Sequence, residues 1–424
     1  MNLFPNILRS ALILLTLTLT AQGISAQSTD DRLLREGPVN VQGADENSQE
    51  DIQYPFLRYS ANVINLNEAD WTELRKLYKE SKDNAFSIVN IGDSHLQADI
   101  GTGELRRLIQ KRRGNAGRGL IAPLKLAGTN EPADYRLTLS SPVDKKSILV
   151  RRPWQTPMTF TGVGVKPVDN AFDLTLEMLG DFPENFRFMR VYTTGDINVT
   201  QAKSTFGTPI TYAQDKNLED GYVDLFFDAP VSSVVLSIFA PAAPTIHGLM
   251  LSKETPGIFY HVIGNNGASY KTYGWVDNFG KGVSTLYPDL IIVSMGTNDA
   301  YNSTAPEEFR RQLDDLVKEL ARENPDAKIM LTTPKEAQRK TGSGRASRYE
   351  VVDKIKTFRD IILEYGRQNK IPVYDFYTIA GGDGASFHWV EEGLLGGDRV
   401  HNTKTGYRLF GNLFYEALDR ALSE

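Results

Sequence analysis

Two apolar runs in this chain, Phe86–Ile91 and Leu290–Met295, each end in a glycine-led polar block and pass directly into a helical pattern. The blocks read Gly92-Asp93-Ser94-His95 and Gly296-Thr297-Asn298-Asp299. A strand that is apolar on both faces has to be covered on both, which a parallel sheet flanked by helices achieves. The same rhythm fills the C-terminal half: strand Gly257–Ile263, a helix near Tyr270–Phe279, strand Asp289–Met295, helix Pro306–Arg322, strand Lys328–Thr333, helix Ser347–Gln368, strand Ile371–Phe376 and helix Thr403–Leu422. Such alternation predicts an α/β architecture, a flavodoxin-like domain of three layers. Upstream, Asn67 is placed to cap a helix Glu68–Lys82, where Trp71, Leu74, Leu77 and Tyr78 recur at helical spacing.

Between Asp134 and Pro244 the apolar period shortens to two. Runs such as Phe172–Met178, Arg187–Tyr192, Tyr222–Phe227 and Val234–Phe239 are separated by Asp169-Asn170, Gly180-Asp181, Gly195-Asp196 and Asp220-Gly221. This texture predicts an all-β jelly-roll or sandwich unit inserted between the first and second strands of the α/β domain. The expected division is 54–133 and 246–424 for the α/β domain, with 134–245 as the insert.

The N-terminus carries Arg9, the apolar run Ala11–Leu19 and small residues up to Ala26, the layout of a secretory signal peptide over 1–26. A polar leader, 27–53, follows. No later run approaches the roughly 20 apolar residues that a bilayer requires. The chain contains no cysteine, which excludes disulfides, thiol nucleophiles, a lipid-modified cysteine and cysteine-ligated zinc. Export without disulfides fits a bacterial periplasm or cell exterior. Removing residues 1–26, whose only charge is Arg9, takes the formal net charge from −6 to −7. Nucleic acid is not an expected partner of such a chain.

Serine is a weak nucleophile unless a base and an oxyanion site accompany it. Five histidines are available as the base: His95, His247, His261, His388 and His401. His401 lies three residues after Asp398 in a glycine-rich loop, so one loop can present carboxylate and imidazole together. Plainer roles stand beside these: Ser94 as a helix cap, Asn298 as a turn former and Gly267 as a residue of positive φ. His95 reads as a wall of the site or as packing on the following helix. His388 and Trp389, within Gly381–Gly397, either line a substrate pocket or anchor that loop. His247 and His261 fall in strand-like segments. Trp154, Phe160, Tyr192, Tyr212 and Tyr222 are aromatics of the β unit, suited to sugar stacking or to a core. The basic stretch Lys335–Arg348 reads as a solvated connection that can touch an anionic polymer. No G-x-S-x-G elbow, phosphate loop or H-E-x-x-H helix is present.

Taken in order, GDSH at 92–95, Gly267 within IGNNGAS, GTND at 296–299 and Asp398-Arg399-Val400-His401 resemble the four blocks of the SGNH/GDSL hydrolase family. The resemblance implies Ser94 as nucleophile and Asp398 with His401 as its acid–base partners. It implies an oxyanion hole made by the N–H of Ser94, the N–H of Gly267 and the side chain of Asn298. GDSH in place of GDSL resembles the subgroup containing bacterial peptidoglycan O-acetylesterases, which carries a β insertion like a carbohydrate-binding module between its first two blocks. Implied with it are an esterase that needs no cofactor and an O-acetylated glycan such as peptidoglycan as substrate. Acetylxylan or other carbohydrate esters, lipase or thioesterase substrates, and acetyl transfer to a sugar hydroxyl are alternatives within the same chemistry. A glycan-binding protein without catalysis is the alternative from another class. The sequence sets no oligomeric state.

Overall fold

The computed structural model describes residues 53–147, 157–181, 183–302 and 304–424. The expected signal peptide and nearly all of the expected leader lie outside these residues, as does Trp154. Six strands build the central sheet, in the order Ile64–Asn65, Val373–Tyr374, Lys328–Thr332, Leu290–Ser294, Ala85–Gly92, Gly257–Gly264. Five of them run parallel; Ile64–Asn65 pairs antiparallel at one edge, a strand the sequence pattern does not announce because it is two residues long. Phe86, Ile88, Val89, Ile91, Leu290, Ile291, Ile292 and Val293 are all fully buried, as strands covered on both faces must be.

Register is what matters for the site. Gly92 is paired with Gly264 on one side and with Ser294 on the other, and Ser294 is paired with Thr332. Four strands therefore end at one level, and the polar block following each starts from that level.

Helices cover both faces. Ile100–Arg113 packs on the C-terminal helix Lys404–Ser423, while Pro306–Glu323 packs with Lys354–Asn369 and Phe279–Ser284. The first contact is close because both partners carry glycine at the crossing. A Cβ on Gly411 would stand 2.4 Å from the Gly101 carbonyl oxygen.

Two antiparallel sheets account for the period-two region. One is ordered Tyr212–Asn217, Tyr222–Val231, Phe186–Thr194, Thr245–Ser252, Val163–Pro167, Val143–Ser147, with Gly119–Ile121 also on Thr245–Ser252. The other is Tyr135–Leu139, Ala171–Met178, Ser233–Phe239, Asn198–Lys203. Leu174, Leu176, Val191, Leu225, Leu236 and Leu249 from the two sheets share one buried cluster. Strands of this assembly extend beyond 134–245 on both sides, to Gly119 and to Ser252. Its larger sheet also packs outward: Phe188, Tyr192, Tyr222 and Met250, with Phe160 from the turn before Val163, join a core with Phe279, Val283 and Val293 of the α/β portion. Phe56–Glu424 is accordingly one compact unit.

Several local expectations are corrected. Asn67 does not cap a helix: Asn67 and Glu68 are both left-handed, and the helix is Thr72–Lys79. The segment 270–279 is not one helix; Tyr270–Tyr273 ends at Gly274, and left-handed Asn278 precedes Phe279–Ser284. The basic stretch is not merely a connection, since Gln338–Thr341 and Arg348–Val351 form an antiparallel hairpin, and the following helix starts at Lys354 rather than Ser347. Among the described residues no helix is long and apolar enough to cross a membrane.

The glycine crossing supplies a test of the packing. Gly411→Val should lower unfolding free energy by about 1–3 kcal/mol through overpacking, read as a reduced urea midpoint at unchanged slope.

Candidate active site

Ser94 opens the short helix Ser94–Gln97 immediately beyond the strand. The capping role is taken by Asp93, whose carboxylate accepts the His95 N–H at 2.9 Å. Ser94 Oγ is thereby left for another partner and lies 2.8 Å from His401 Nε2. His401 Nδ1 lies 2.6 Å from Asp398 Oδ2. The other oxygen, Asp398 Oδ1, accepts the N–H groups of Val400 at 2.9 Å and His401 at 3.0 Å. One carboxylate thus folds the loop and orients the ring, which fixes the proton on Nδ1 and leaves Nε2 to accept from the serine.

Gly267 has φ of +73° in a turn where Ala268 N donates to Asn265 O at 3.0 Å. A side chain there would be strained, so glycine holds this approach open. Among the described residues the N–H groups of Ser94 and Gly267 have no acceptor. Asn298 Nδ2 donates to Ala268 O at 2.8 Å and makes a longer contact, 3.4 Å, to Asp93 Oδ2. Serine, glycine turn and amide side chain thus converge on one end of the sheet.

The electrostatics separate the groups by role. Burial works against the ionised form of Asp398, but the bonds from the His401 ring and from two backbone N–H groups outweigh it and hold the carboxyl well below the usual range. The same bond to Asp398 raises the pKa of His401 above that of an ordinary imidazole, against the opposing effect of burial. Asp93 is moved to about 6 by burial. His95 is pushed well below the ordinary value by burial and by the nearby charges of His401 and Lys335, so it stays neutral.

These distances place Ser94, Asp398 and His401 together, with Gly267 and Asn298 beside them. Residues 243–409 match the GDSL-like lipase/acylhydrolase family. The fold is that of the SGNH hydrolases: a solved structure of a peptidoglycan O-acetylesterase superposes with a TM-score of 0.68 at 19% identity, covering 84% of this chain and 97% of that one. A lipase/acylhydrolase from Enterococcus faecalis is 24% identical over 39% of this chain and 77% of its own, with a TM-score of 0.30. An acetyl xylan esterase is 18% identical over 38% and 81%, with a TM-score of 0.31. No curated protein sequence matches. The family match over residues 243–409 supports an acylhydrolase.

Around this site the other expected residues divide. His95 does belong to its walls: Nδ1 is 3.2 Å from Tyr407 Oη, and its ring is 5.3 Å from that of His401. His388 and Trp389 are not brought to the site. His388 stacks on Phe56 at the surface and faces Glu391, while Trp389 is 1% exposed with Nε1 bonded to Ala380 O. A tryptophan beside glycines signals an anchored loop as well as a lined pocket, and here burial decides for the anchor. His247 and His261 are core residues bonded to Thr194 and to the Leu120 N–H.

Two participants escape a reading of the sequence. Gln97, three residues after Ser94 on the same helix, accepts the Asn266 N–H on Oε1 at 2.6 Å. Its Nε2 holds Thr129 Oγ1 and Asn130, which ties the serine helix to the Gly267 turn and to a neighbouring loop. Lys335 is buried over the Trp389 ring, its pKa lowered to about 7 by that burial. With Asp93, His95, Thr297, Tyr407 and Phe410 it lines a cavity of about 60 Å³ behind the serine turn. The i+3 spacing of Gln97 is a signal that could have been used; a lysine directly after a strand-ending Thr-Thr-Pro offers none.

Titration by NMR checks the electrostatics. His401 should have a midpoint above the ordinary imidazole value of about 6.5 and His95 one below it. In Asp398→Asn the His401 midpoint should fall, because the charge that favours the imidazolium is gone.

Proposed function

We propose that this protein is a serine esterase that removes O-acetyl groups from a glycan, with O-acetylated peptidoglycan as its substrate. The observation that carries the reading is the hydrogen-bonded chain Ser94–His401–Asp398 set beside free N–H donors at the level strand ends. In this mechanism Ser94 Oγ attacks the acetyl carbonyl carbon while His401 Nε2 takes the serine proton. The oxyanion accepts hydrogen bonds from Ser94 N–H, Gly267 N–H and the Asn298 amide, which exchanges its long contact with Asp93 for the stronger one. The intermediate collapses, the sugar oxygen leaves with the proton from His401, and the acetyl group stays on Ser94. Water, deprotonated by His401, then attacks the acyl-serine, releasing acetate and restoring the hydroxyl.

The substrate assignment is supported by the peptidoglycan O-acetylesterase fold match across most of the chain. Export to a periplasm or cell exterior is supported by the Arg9–Ala26 pattern and by the absence of cysteine. We further assign residues 134–245, with the strands that flank them, to an inserted β unit that shapes the approach to the site.

Acetate release from O-acetylated peptidoglycan and acetylated xylan, and octanoate release from an octanoyl ester, measured for wild type and Ser94→Ala, test the proposal. Release from peptidoglycan that vanishes in the variant is expected. Preference for xylan or for octanoyl ester overturns the substrate, and acetyl appearing on an added sugar acceptor rather than as acetate overturns hydrolysis. Asn298→Ala should cut kcat by roughly 10²–10³, the cost of one oxyanion donor, with a smaller change in KM. Because His401 must be neutral to accept the serine proton, kcat/KM should rise with pH through a pKa above about 6.5. Asp398→Asn should depress kcat by roughly 10⁴.

A further inference from the structure

The hairpin Gln338–Thr341/Arg348–Val351 touches both halves of the site. On the side of the Asn298 block, Tyr301 donates its hydroxyl to Gln338 O at 2.7 Å. Arg339 Nη2 donates in return to Tyr301 O at 2.7 Å, and its guanidinium sits 4.9 Å from the centroid of the Tyr301 ring. On the side of the acid–base loop, Gln338 N donates to Arg399 O at 3.0 Å and Tyr349 Oη to Gly397 O at 2.9 Å. Arg399, which stands between Asp398 and His401, lies with its guanidinium 4.8 Å from the centroid of the Tyr349 ring.

These two guanidinium groups have no carboxylate partner among the described residues. Arg348 is paired with Glu350 at 2.6 Å, and Asp398 is committed to His401. The hairpin sequence carries four basic residues, Arg339, Lys340, Arg345 and Arg348, against Glu350 alone, on a chain with a formal net charge of −6. A local cationic rim on an acidic protein attracts an anionic partner that the rest of the surface repels. Stacking on tyrosine holds each guanidinium plane in advance, so less freedom is lost when its donor fork meets a carboxylate.

The chemistry says where a carboxylate would come from. The sugar oxygen that leaves must receive its proton from His401, so the glycan lies over the loop that carries Arg399. We propose that Arg339 and Arg399 form a carboxylate-recognising rim that selects acetylated glycans bearing acidic groups over neutral ones. The inference rests on the esterase reading for the direction in which the glycan lies, and it names the charge class of that substrate.

Binding in the Ser94→Ala background separates the rim from catalysis. The probes are soluble peptidoglycan fragments and the same fragments with their carboxylates amidated, each at 50 and 300 mM salt. The native fragments should bind at least about tenfold more tightly than the amidated ones at low salt, with the difference shrinking at high salt as screening increases. Arg339→Gln combined with Arg399→Gln should bring the two affinities together. Equal affinity in the parent protein, a comparison that needs no arginine variant to fold, overturns the proposal, as does an undiminished preference in the double variant. Acetylated pectin, whose carboxylates are uronates, distinguishes the sources: equal binding assigns the rim to carboxylates in general, and weaker binding assigns it to those of the peptide stems. Wild-type activity on a small neutral acetyl ester is scored in parallel. Activity there without carboxylate preference removes the rim alone, and preference without activity on any acetyl ester removes the esterase reading alone.

Discussion

Everything at the site depends on the parallel register that sets Gly264, Gly92, Ser294 and Thr332 side by side. Each strand releases its chain at the same height, and Gly267, Ser94, Asn298 and Lys335 each lie within a few residues of their own strand's end. A slip of one residue in any of these strands would turn its buried side chains to the other face, and the fully apolar strands here also leave little to specify register by alternation. Polar contacts at the strand ends supply part of what is missing. Asn90 Oδ1 accepts from Ser294 Oγ at 2.9 Å, and Asn90 Nδ2 donates to Tyr260 Oη at 2.8 Å, which ties three adjacent strands through residues two places from the paired position on either side.

A second anchor joins the serine helix to the entrance of the antiparallel sheets. Asp99, two residues past Gln97, accepts from Arg106 at 2.6 Å and from Arg118 at 2.8 Å, and Arg118 also donates to Asp134 at 2.6 Å. Arg106, Arg118 and Asp99 are all buried. Breaking such a group from one side leaves an uncompensated charge, at a cost of about 3–5 kcal/mol. On the far side of the larger antiparallel sheet, Arg190 binds Asp224 through two nitrogens and reaches Thr285 O at 3.1 Å. The β region is therefore held to the α/β layers by a shared apolar core and by buried arginines, which fixes its position relative to Ser94.

The α/β alternation and the two-residue period were readable because each rests on strong local patterns, an apolar run against a helical or alternating one. Ser94, Gly267 and Asn298 were readable because each of their blocks follows a strand, and Asp398 with His401 because both fall in one glycine-rich loop before the last helix. What the sequence withheld depends on tertiary contacts. The Gln338–Val351 hairpin is short and polar, and it is held by Tyr301, Gly397 and Arg399, none of which is near it in sequence. Trp389 is a pocket residue or an anchor depending only on what surrounds it. Asn67 and Glu68 do not start a helix, because a capping residue says nothing about its own φ: both adopt left-handed conformations just after the two-residue edge strand.

The interior behind Ser94 shows how a charged reaction can be run beside buried ionisable groups. Burial raises Asp93 to about 6 and Asp299 to about 7, and it lowers Lys335 to about 7. Each of these groups is moved toward its neutral form, and His95 is held neutral outright. Asp398 is moved the other way by three hydrogen bonds and stays ionised. The site therefore keeps one firm negative charge, placed behind the imidazole that must become positive as Ser94 is deprotonated. Lys335 adds a smaller opposing influence on His401, which limits the rise that Asp398 produces. A base held too tightly in its charged form could not accept the serine proton near neutral pH, so burial of the His401 ring, with a smaller effect from Lys335, opposes the rise that Asp398 produces.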